Sequence, residues 1–241
     1  MAKRKKKRKL KIKNILILLA IILMLVGVFY YILKMPINNI YITGNNILTD
    51  SIVMKEAKID KYPSFLLTSS REIKSNLEKN NYIKNVKVIK KIGNIIEIKI
   101  TEYKALALIN QGSNILLSNG NIISNTYELS DVPILNNSVA DNIFSDFVKK
   151  FNKIDNKILR QISQLEYSPV NVDDKRFLLY MDDGNLVYIT LTKIEKLNKY
   201  NDIKDKMDNK TGVIYLDSGN YIEIKDNKEK QVSESNDNIN N

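Results

Sequence analysis

An uninterrupted run of nineteen uncharged and almost wholly apolar residues occupies positions 15–33, ILILLAIILMLVGVFYYIL. At about 1.5 Å of rise per residue, such a run forms a helix about 28 Å long, which is close to the hydrocarbon thickness of a bilayer. We therefore predict a membrane-spanning helix over residues 14–34. Every other part of the chain must then lie on one side of a membrane or the other.

The residues before the apolar run are strongly basic, and nine of the first thirteen are Lys or Arg. Clustered positive charge beside a span stays on the cytoplasmic side of the membrane. We therefore predict a cytoplasmic tail over residues 1–13, a single-pass type II topology and an extracytoplasmic region from residue 35 onward. The residues predicted to fix this topology are Lys3, Arg4, Lys5, Lys6, Lys7, Arg8, Lys9, Lys11 and Lys13.

A cleaved signal peptide is the alternative interpretation of the same segment. Signal peptides have an apolar core of about 7–15 residues followed by small residues at the cleavage site. Here the core is longer, and it is followed by Tyr30, Tyr31 and Lys34, which suit the outer interface of a membrane. The sequence favours an uncleaved anchor.

The composition narrows the possible functions. The net charge is +11, but the basic tail carries nine of those charges, so a nucleic-acid-binding protein is not indicated and attraction to anionic lipid is a second expected effect of the tail. The chain has no Cys and no His, which excludes disulfides, thiol chemistry, Ser-His-Asp and Cys-His nucleophiles, and His-based zinc catalysis. We expect no cofactor and no catalytic residues.

The first part of the outer region has the pattern of a small α+β unit. A strand over residues 37–43 is followed by a helix over 48–59 with Thr49 or Asp50 as its N-cap. Ser69 and Glu72 have the spacing of a capping box that opens a second helix through Lys79. Alternating apolar residues on both sides of Gly93-Asn94 then predict a hairpin, so the order is β-α-α-β-β.

The remainder is rich in predicted strands and hairpin turns, among them Asn119-Gly120 and Asp183-Gly184. Two amphipathic helices are predicted over residues 142–154 and 194–207, and a last hairpin pairs residues 213–216 with 221–224. Residues 226–241 contain two apolar residues, Val232 and Ile239, and are predicted to be disordered.

These elements resemble a known family in their order. IYITGNN with the hairpin KNVKVIKKIGNIIEIKITE resembles a POTRA domain of the FtsQ type, and LLSNGNIIS, VPIL and the final VIYLDSGNYIEI resemble stretches of the second domain of FtsQ/DivIB cell division proteins. The predicted fold is therefore α+β: one N-terminal transmembrane helix, a POTRA domain over 35–104 and a C-terminal β-rich domain with two helices over 105–225.

The resemblance implies a non-enzymatic scaffold of the bacterial divisome, enriched at the septum. Such a scaffold binds FtsL and FtsB/DivIC-type coiled-coil partners and supports septal peptidoglycan synthases. A terminal strand at a sheet edge could accept a partner strand, although an ordinary hairpin covered by the chain itself gives the same pattern. The predicted partner-binding residues are Val213, Tyr215, Leu216, Asp217, Ser218, Gly219, Tyr221 and Ile224.

Two other functions fit parts of the sequence. A wall hydrolase would need paired carboxylates or a Ser-Lys dyad. The acidic doublets Asp173-Asp174 and Asp182-Asp183 are better interpreted as turn residues, because adjacent side chains in a strand point to opposite faces. A POTRA-bearing envelope protein of a transport or spore-assembly system is the other alternative.

Overall fold

The computed structural model describes residues 12–208 and 210–224. Most of the predicted basic tail and the predicted disordered segment over 226–241 lie outside the described residues. Two compact units divide the chain, Met1–Glu102 and Tyr103–Asn241. Each unit has its own sheet and its own buried apolar core.

The apolar run forms one continuous helix, α1, from Ile12 to Lys34. None of its side chains is buried against the rest of the protein, and its mean hydropathy reaches 3.0. Within the described residues it is the one helix long and apolar enough to cross a membrane. The predicted helix over 14–34 is confirmed.

The first unit contains a three-stranded sheet with two short helices. Its strands are β1 (Asn39–Thr43), β2 (Ile83–Lys91) and β3 (Ile95–Glu102), and its further helices are α2 (Asp50–Glu56) and α3 (Ser70–Leu77). The sheet order is β1-β3-β2, with β1 parallel and β2 antiparallel to β3. Ile96 and Ile98 alternate with half-exposed residues in β3 and lie in the core with Val53, Ile73 and Leu77. The predicted β-α-α-β-β order is confirmed.

The two helix starts in this unit differ from one another. Thr49 caps α2, since its side chain accepts a hydrogen bond from the Ile52 N–H at 3.4 Å. Ser69 stands at the N-cap of α3 but makes no side-chain cap bond. The predicted capping box of Ser69 and Glu72 is therefore wrong; both residues are exposed, so water can satisfy the helix end in its place.

The second unit is built on a nine-stranded sheet. Its strands are β4 (Ala105–Ile109), β5 (Asn114–Leu117), β6 (Ile122–Ser124), β7 (Ile134–Leu135), β8 (Ile162–Tyr167), β9 (Arg176–Met181), β10 (Leu186–Thr190), β11 (Gly212–Tyr215) and β12 (Tyr221–Ile224). Their order in the sheet is β12-β11-β10-β9-β8-β7-β4-β5-β6. β10 and β11 pair in parallel, whereas β9–β10 and β11–β12 are antiparallel hairpins. The last two predicted hairpins are thus present in one sheet.

Helices contribute the other half of this unit's core. They are α4 (Asp141–Phe151), α5 (Asn156–Leu159), a 3-10 helix (Leu191–Lys199) and α6 (Tyr200–Asp205). Phe147 of α4 stacks on Phe177 of β9, with ring centroids 5.1 Å apart. This contact ties the helical layer to the middle of the sheet.

The helix predicted over 194–207 is α-helical only in its second part. Residues 194–199 belong to the 3-10 helix, and residues 200–205 form α6. A 3-10 helix has three residues per turn, so side chains spaced by three lie on one side. Leu191, Ile194, Leu197 and Tyr200 have that spacing and are all buried, which explains why the apolar pattern is satisfied without an α-helix.

Candidate partner-binding edge of the second unit

The candidate site is the end of the nine-stranded sheet formed by β12. This strand pairs with β11 on one side, and no further strand follows it in the described part of the sheet. All four of its residues are exposed, Tyr221 by 50% and Ile224 by 46%. An edge of this kind presents main-chain N–H and C=O groups that another strand can bind.

A tight turn over residues 217–220 brings β12 back against β11. Asp217 Oδ1 accepts a hydrogen bond from the Ser218 N–H at 2.7 Å, and Asn220 adopts a left-handed backbone conformation with φ of 56°. Asn tolerates this conformation better than most residues. The local sequence Asp-Ser-Gly-Asn therefore reverses the chain, as predicted.

Two lysines from the 3-10 helix hold this turn. Lys193 Nζ donates to the Asp217 carbonyl at 2.5 Å, and Lys196 Nζ donates to Asn220 Oδ1 at 2.9 Å. The turn is therefore fastened to the body of the unit as well as to β11.

Asp217 also forms an ion pair with Arg176 of β9. The Arg176 Nε to Asp217 Oδ2 distance is 2.7 Å, and both side chains are largely buried. Burial raises the pKa of the Asp217 carboxyl, but the hydrogen bonds from Arg176 and Ser218 together lower it by more. The pKa of Asp217 therefore lies below its ordinary value. This pair anchors the turn to β9, which is separated from the edge strand β12 by β10 and β11.

Three tyrosines on adjacent strands form what we call the tyrosine stack: Tyr188 of β10, Tyr215 of β11 and Tyr221 of β12. The ring centroids of Tyr188 and Tyr215 are 5.3 Å apart, and those of Tyr215 and Tyr221 are 4.4 Å apart, with nearly parallel planes. The Arg176 guanidinium lies 3.8 Å from the Tyr188 ring centroid. The stack therefore links the edge strand to the interior of the sheet.

The middle ring of the stack also makes a polar contact. Tyr215 donates its hydroxyl to Glu223 Oε2 at 3.1 Å, which bridges β11 and β12. This hydrogen bond to a carboxylate raises the pKa of the Tyr215 hydroxyl. The phenol stays neutral near pH 7 and acts as a donor.

A buried polar network supports the start of β11. Asn185 accepts from the Gly212 N–H at 2.8 Å and donates to the Tyr200 hydroxyl at 2.9 Å. Tyr200 in turn donates to the Asp183 carboxylate at 2.8 Å, and Lys204 lies 3.0 Å from that carboxylate. Burial raises the pKa of Asp183, but the bonds from Tyr200 and Lys204 outweigh it and leave the pKa lowered.

The predicted partner-binding residues fall into different environments. Tyr221 and Ile224 lie exposed on the edge strand, Ser218 and Gly219 lie exposed in the turn, and Val213 and Tyr215 are half-buried on β11. Leu216 is packed into the hydrophobic core, and Asp217 is engaged with Arg176. The structure brings these residues into one hairpin but leaves Leu216 out of reach of a partner.

Several residues of this edge were missed by the sequence argument, namely Arg176, Tyr188, Lys193, Lys196 and Glu223. Tyr188 and Arg176 join the site through the parallel pairing of β10 with β11, across more than twenty residues of chain. Glu223 could have been found from the sequence, because it lies two residues after Tyr221 in a predicted strand and therefore faces the same side.

The acidic doublets do not assemble a reactive centre. Asp173 Oδ1 accepts from the Lys175 N–H at 2.9 Å and from the Thr190 hydroxyl at 3.2 Å, while Asp183 belongs to the buried network. Among the described residues, no group of three or more acidic side chains is placed to hold a metal ion. Both doublets organise turns.

Comparisons with known proteins find similarity to a family of POTRA domains and to cell division proteins. Residues 35–103 match the family described as "POTRA domain, FtsQ-type". The cell division protein DivIB of Bacillus anthracis is 31% identical over 188 residues, covering 73% of this chain and 69% of that protein. DivIB of Bacillus subtilis is 27% identical over 172 residues, covering 69% of this chain and 65% of that protein.

Among the solved structures similar to this chain is the major extracytoplasmic domain of DivIB from Geobacillus stearothermophilus. It is 22% identical, with a TM-score of 0.37, and the match covers 45% of this chain and 96% of that chain.

Proposed function

The chain belongs to the DivIB family of cell division proteins, and from that premise we propose that it is a non-enzymatic divisome scaffold that captures partner proteins along β12. The partners we propose are the outer parts of single-span coiled-coil proteins of the FtsL and FtsB/DivIC type. Through them the scaffold supports septal peptidoglycan synthases.

The observation that carries the proposal is the position of β12 at the end of the nine-stranded sheet, with all four of its residues exposed. A partner strand that adds to this edge gains main-chain hydrogen bonds, and the alternating side chains of β12 supply specificity. Tyr221 and Glu223 would meet one side of the partner strand, and Ile222 and Ile224 the other.

The anchoring of the edge supports the same proposal. The tyrosine stack, the Arg176–Asp217 pair and the two lysines on the turn hold β12 in place before a partner arrives. A strand that is already ordered loses less conformational entropy on binding than a disordered one. This favours recognition by strand addition over folding of the hairpin on the partner.

The chain is a single-pass membrane protein with an extracytoplasmic domain, since it combines α1 with relatives named DivIB. We propose that it is concentrated at the division septum. A fluorescent fusion at the N-terminus, imaged in dividing cells, tests this. A midcell band that constricts with the septum is expected, and a uniform envelope signal would contradict the divisome role.

A binding experiment tests β12 itself. We expect Ile224→Asp to weaken capture of a purified FtsL- or DivIC-type partner by the full chain about tenfold or more, a loss of ~1.4 kcal/mol or more. Ile122→Asp is the matched control, because Ile122 is 48% exposed on β6 at the opposite end of the same sheet. Equal affinity for both variants and the wild type would overturn the role of β12.

A further inference from the structure

The first unit has exposed apolar side chains near the C-terminal end of α1. In the loop after α2, Leu66 is 49% exposed and Leu67 is 69% exposed. Ile92, at the tip of the β2–β3 hairpin, is completely exposed. Isolated exposed apolar residues are common, but these occupy two tips at the same end of the unit.

The loop tip is fastened to the end of the apolar helix. The Ser64 hydroxyl donates to the Leu33 carbonyl at 2.5 Å, and the Phe65 N–H donates to the Met35 carbonyl at 2.9 Å. The Ile37 N–H donates to the Pro63 carbonyl at 2.9 Å. Because Leu33 is the last residue of the apolar run, these bonds place Leu66 and Leu67 within a few residues of the membrane boundary.

The hairpin tip is fastened to the same stretch of chain. The Asn38 N–H donates to the Asn94 carbonyl at 2.8 Å, and Asn94 Nδ2 donates to the Pro36 carbonyl at 3.2 Å. The parallel pairing of β1 and β3 begins directly afterwards, with Asn39 opposite Ile95. Ile92 therefore lies at the end of the sheet that is nearest in the chain to α1, the helix predicted to cross the membrane.

Several backbone polar groups of the loop over residues 64–68 form hydrogen bonds within the first unit. Lys90 Nζ donates to the carbonyls of Phe65 and Thr68 and lies 4.3 Å from the Phe65 ring centroid. The Thr68 N–H and hydroxyl both donate to the Ser64 carbonyl, at 3.0 and 2.7 Å. Backbone groups that are paired internally can approach lipid at low cost, whereas unpaired ones cannot.

We propose that these two tips, Leu66 with Leu67 and Ile92, insert into the interfacial layer of the outer leaflet and dock the first unit on the lipid surface. The contact continues the membrane contact of α1. Its consequence is a fixed orientation of the first unit against the membrane.

Single tryptophans test the proposal, because the chain contains none. Leu67→Trp and Ile92→Trp report on the tips in the full chain, reconstituted into nanodiscs of phosphatidylethanolamine and phosphatidylglycerol. Leu23→Trp, within α1, marks the bilayer interior. Lys84→Trp is the exposed control, since Lys84 lies seven residues before Lys91 in β2, about 23 Å along the strand from the docked end.

For Leu67→Trp and Ile92→Trp we expect emission at shorter wavelength than for Lys84→Trp. We also expect stronger quenching of these two by lipids brominated near the carbonyl end of the acyl chains than by lipids brominated deeper. Adding Leu66→Asp to Ile92→Trp should reduce that quenching, because one charged tip lifts the docked end as a whole.

Emission and quenching of both tip probes equal to those of Lys84→Trp, with Leu23→Trp quenched by deep bromines, would overturn the docking. A Leu23→Trp probe that lipid bromines do not quench would overturn it as well, by removing the anchor. Neither result bears on partner capture by β12.

Discussion

Tyr215 and Tyr221 lie directly opposite each other on β11 and β12, and their rings stack with centroids 4.4 Å apart and planes 14° from parallel. Aromatic pairs in contact contribute about 0.5–1.5 kcal/mol beyond the area they bury. β12 has four residues and no buried side chain, so this contact is a large share of what holds the edge strand in place.

The first prediction concerns that contact. Tyr221→Ala should loosen β12, and amide hydrogen exchange over residues 221–224 should become about 2- to 10-fold faster, in line with the loss of one aromatic pair. Tyr221→Phe, which retains the ring, should leave the exchange rate close to that of the wild type. Equal protection in Tyr221→Ala would mean that the stack does not order the strand.

The second prediction concerns the buried network at Asn185, whose side chain is almost fully enclosed. Asn185→Ala removes the acceptor of the Gly212 N–H and the donor to Tyr200, and a buried polar group left unpaired costs about 1–3 kcal/mol. Thermal unfolding of the full chain in detergent should show a lower midpoint for the second unit. Asn142→Ala, at an exposed position of α4, is the control and should leave the midpoint unchanged.

The sequence was most informative where a pattern is local. The apolar run, the β-α-α-β-β order and the hairpins at Asp183-Gly184 and over 213–224 depend on spacing over a few residues, and the structure contains them. The 3-10 helix was missed because spacing by three and the mixed spacing of an α-helix share many positions, so Ile194, Leu197 and Tyr200 satisfy both.

The site was only partly accessible from sequence. The turn residues and the alternation within β12 could be predicted, but not the neighbour of β11. Its parallel pairing with β10 brings Tyr188 against Tyr215 and Arg176 within reach of Asp217. Long-range pairing of this kind depends on the packing of the whole unit, for which one sequence carries no local pattern.

The third prediction concerns acid. The pKa values of Asp183 and Asp217 are lowered below 3.8 in the folded protein, so the unfolded chain binds protons more readily. The stabilisation from these two carboxylates is therefore complete above about pH 5 and is lost as the pH falls through their folded pKa values. The melting midpoint of the second unit should fall steeply below about pH 4.

A neutral substitution at Asp217 distinguishes its contribution to the loss of stability in acid from that of the other carboxylates. Asp217→Asn should lower the midpoint at neutral pH, because Arg176 loses its charged partner, and should make the decline below pH 4 shallower. An acid decline as steep as that of the wild type would show that the Arg176–Asp217 pair does not contribute to it.

The fourth prediction concerns Glu102, which accepts hydrogen bonds from three consecutive backbone N–H groups. These are the N–H groups of Asn46, Ile47 and Leu48, at 2.8, 2.7 and 2.9 Å. Glu102→Ala leaves the chain before α2 without an acceptor and should destabilise the first unit by about 1–3 kcal/mol. Glu72→Ala removes an exposed carboxylate of the same unit and should have little effect on its unfolding; equal losses in both variants would contradict the role of Glu102.

The last prediction concerns Gly212, where β11 and β12 approach too closely for any side chain. A Cβ at this position would lie 2.3 Å from the Glu223 carbonyl oxygen and 3.1 Å from Ile224 Cα. The clash is with backbone, so Gly212→Ala can be accommodated only if β12 moves away from β11. We expect a loss of about 1–3 kcal/mol of stability, faster amide exchange over residues 222–224 and weaker partner capture.

Gly27→Ala is the control for that variant, because Gly27 lies in α1 and no atom lies within 4 Å of its added Cβ. It should leave exchange over 222–224 and the melting midpoint close to those of the wild type. If Gly212→Ala behaved in the same way, β12 would not depend on its close approach to β11, and the edge strand would have to be held by the tyrosine stack and the turn alone.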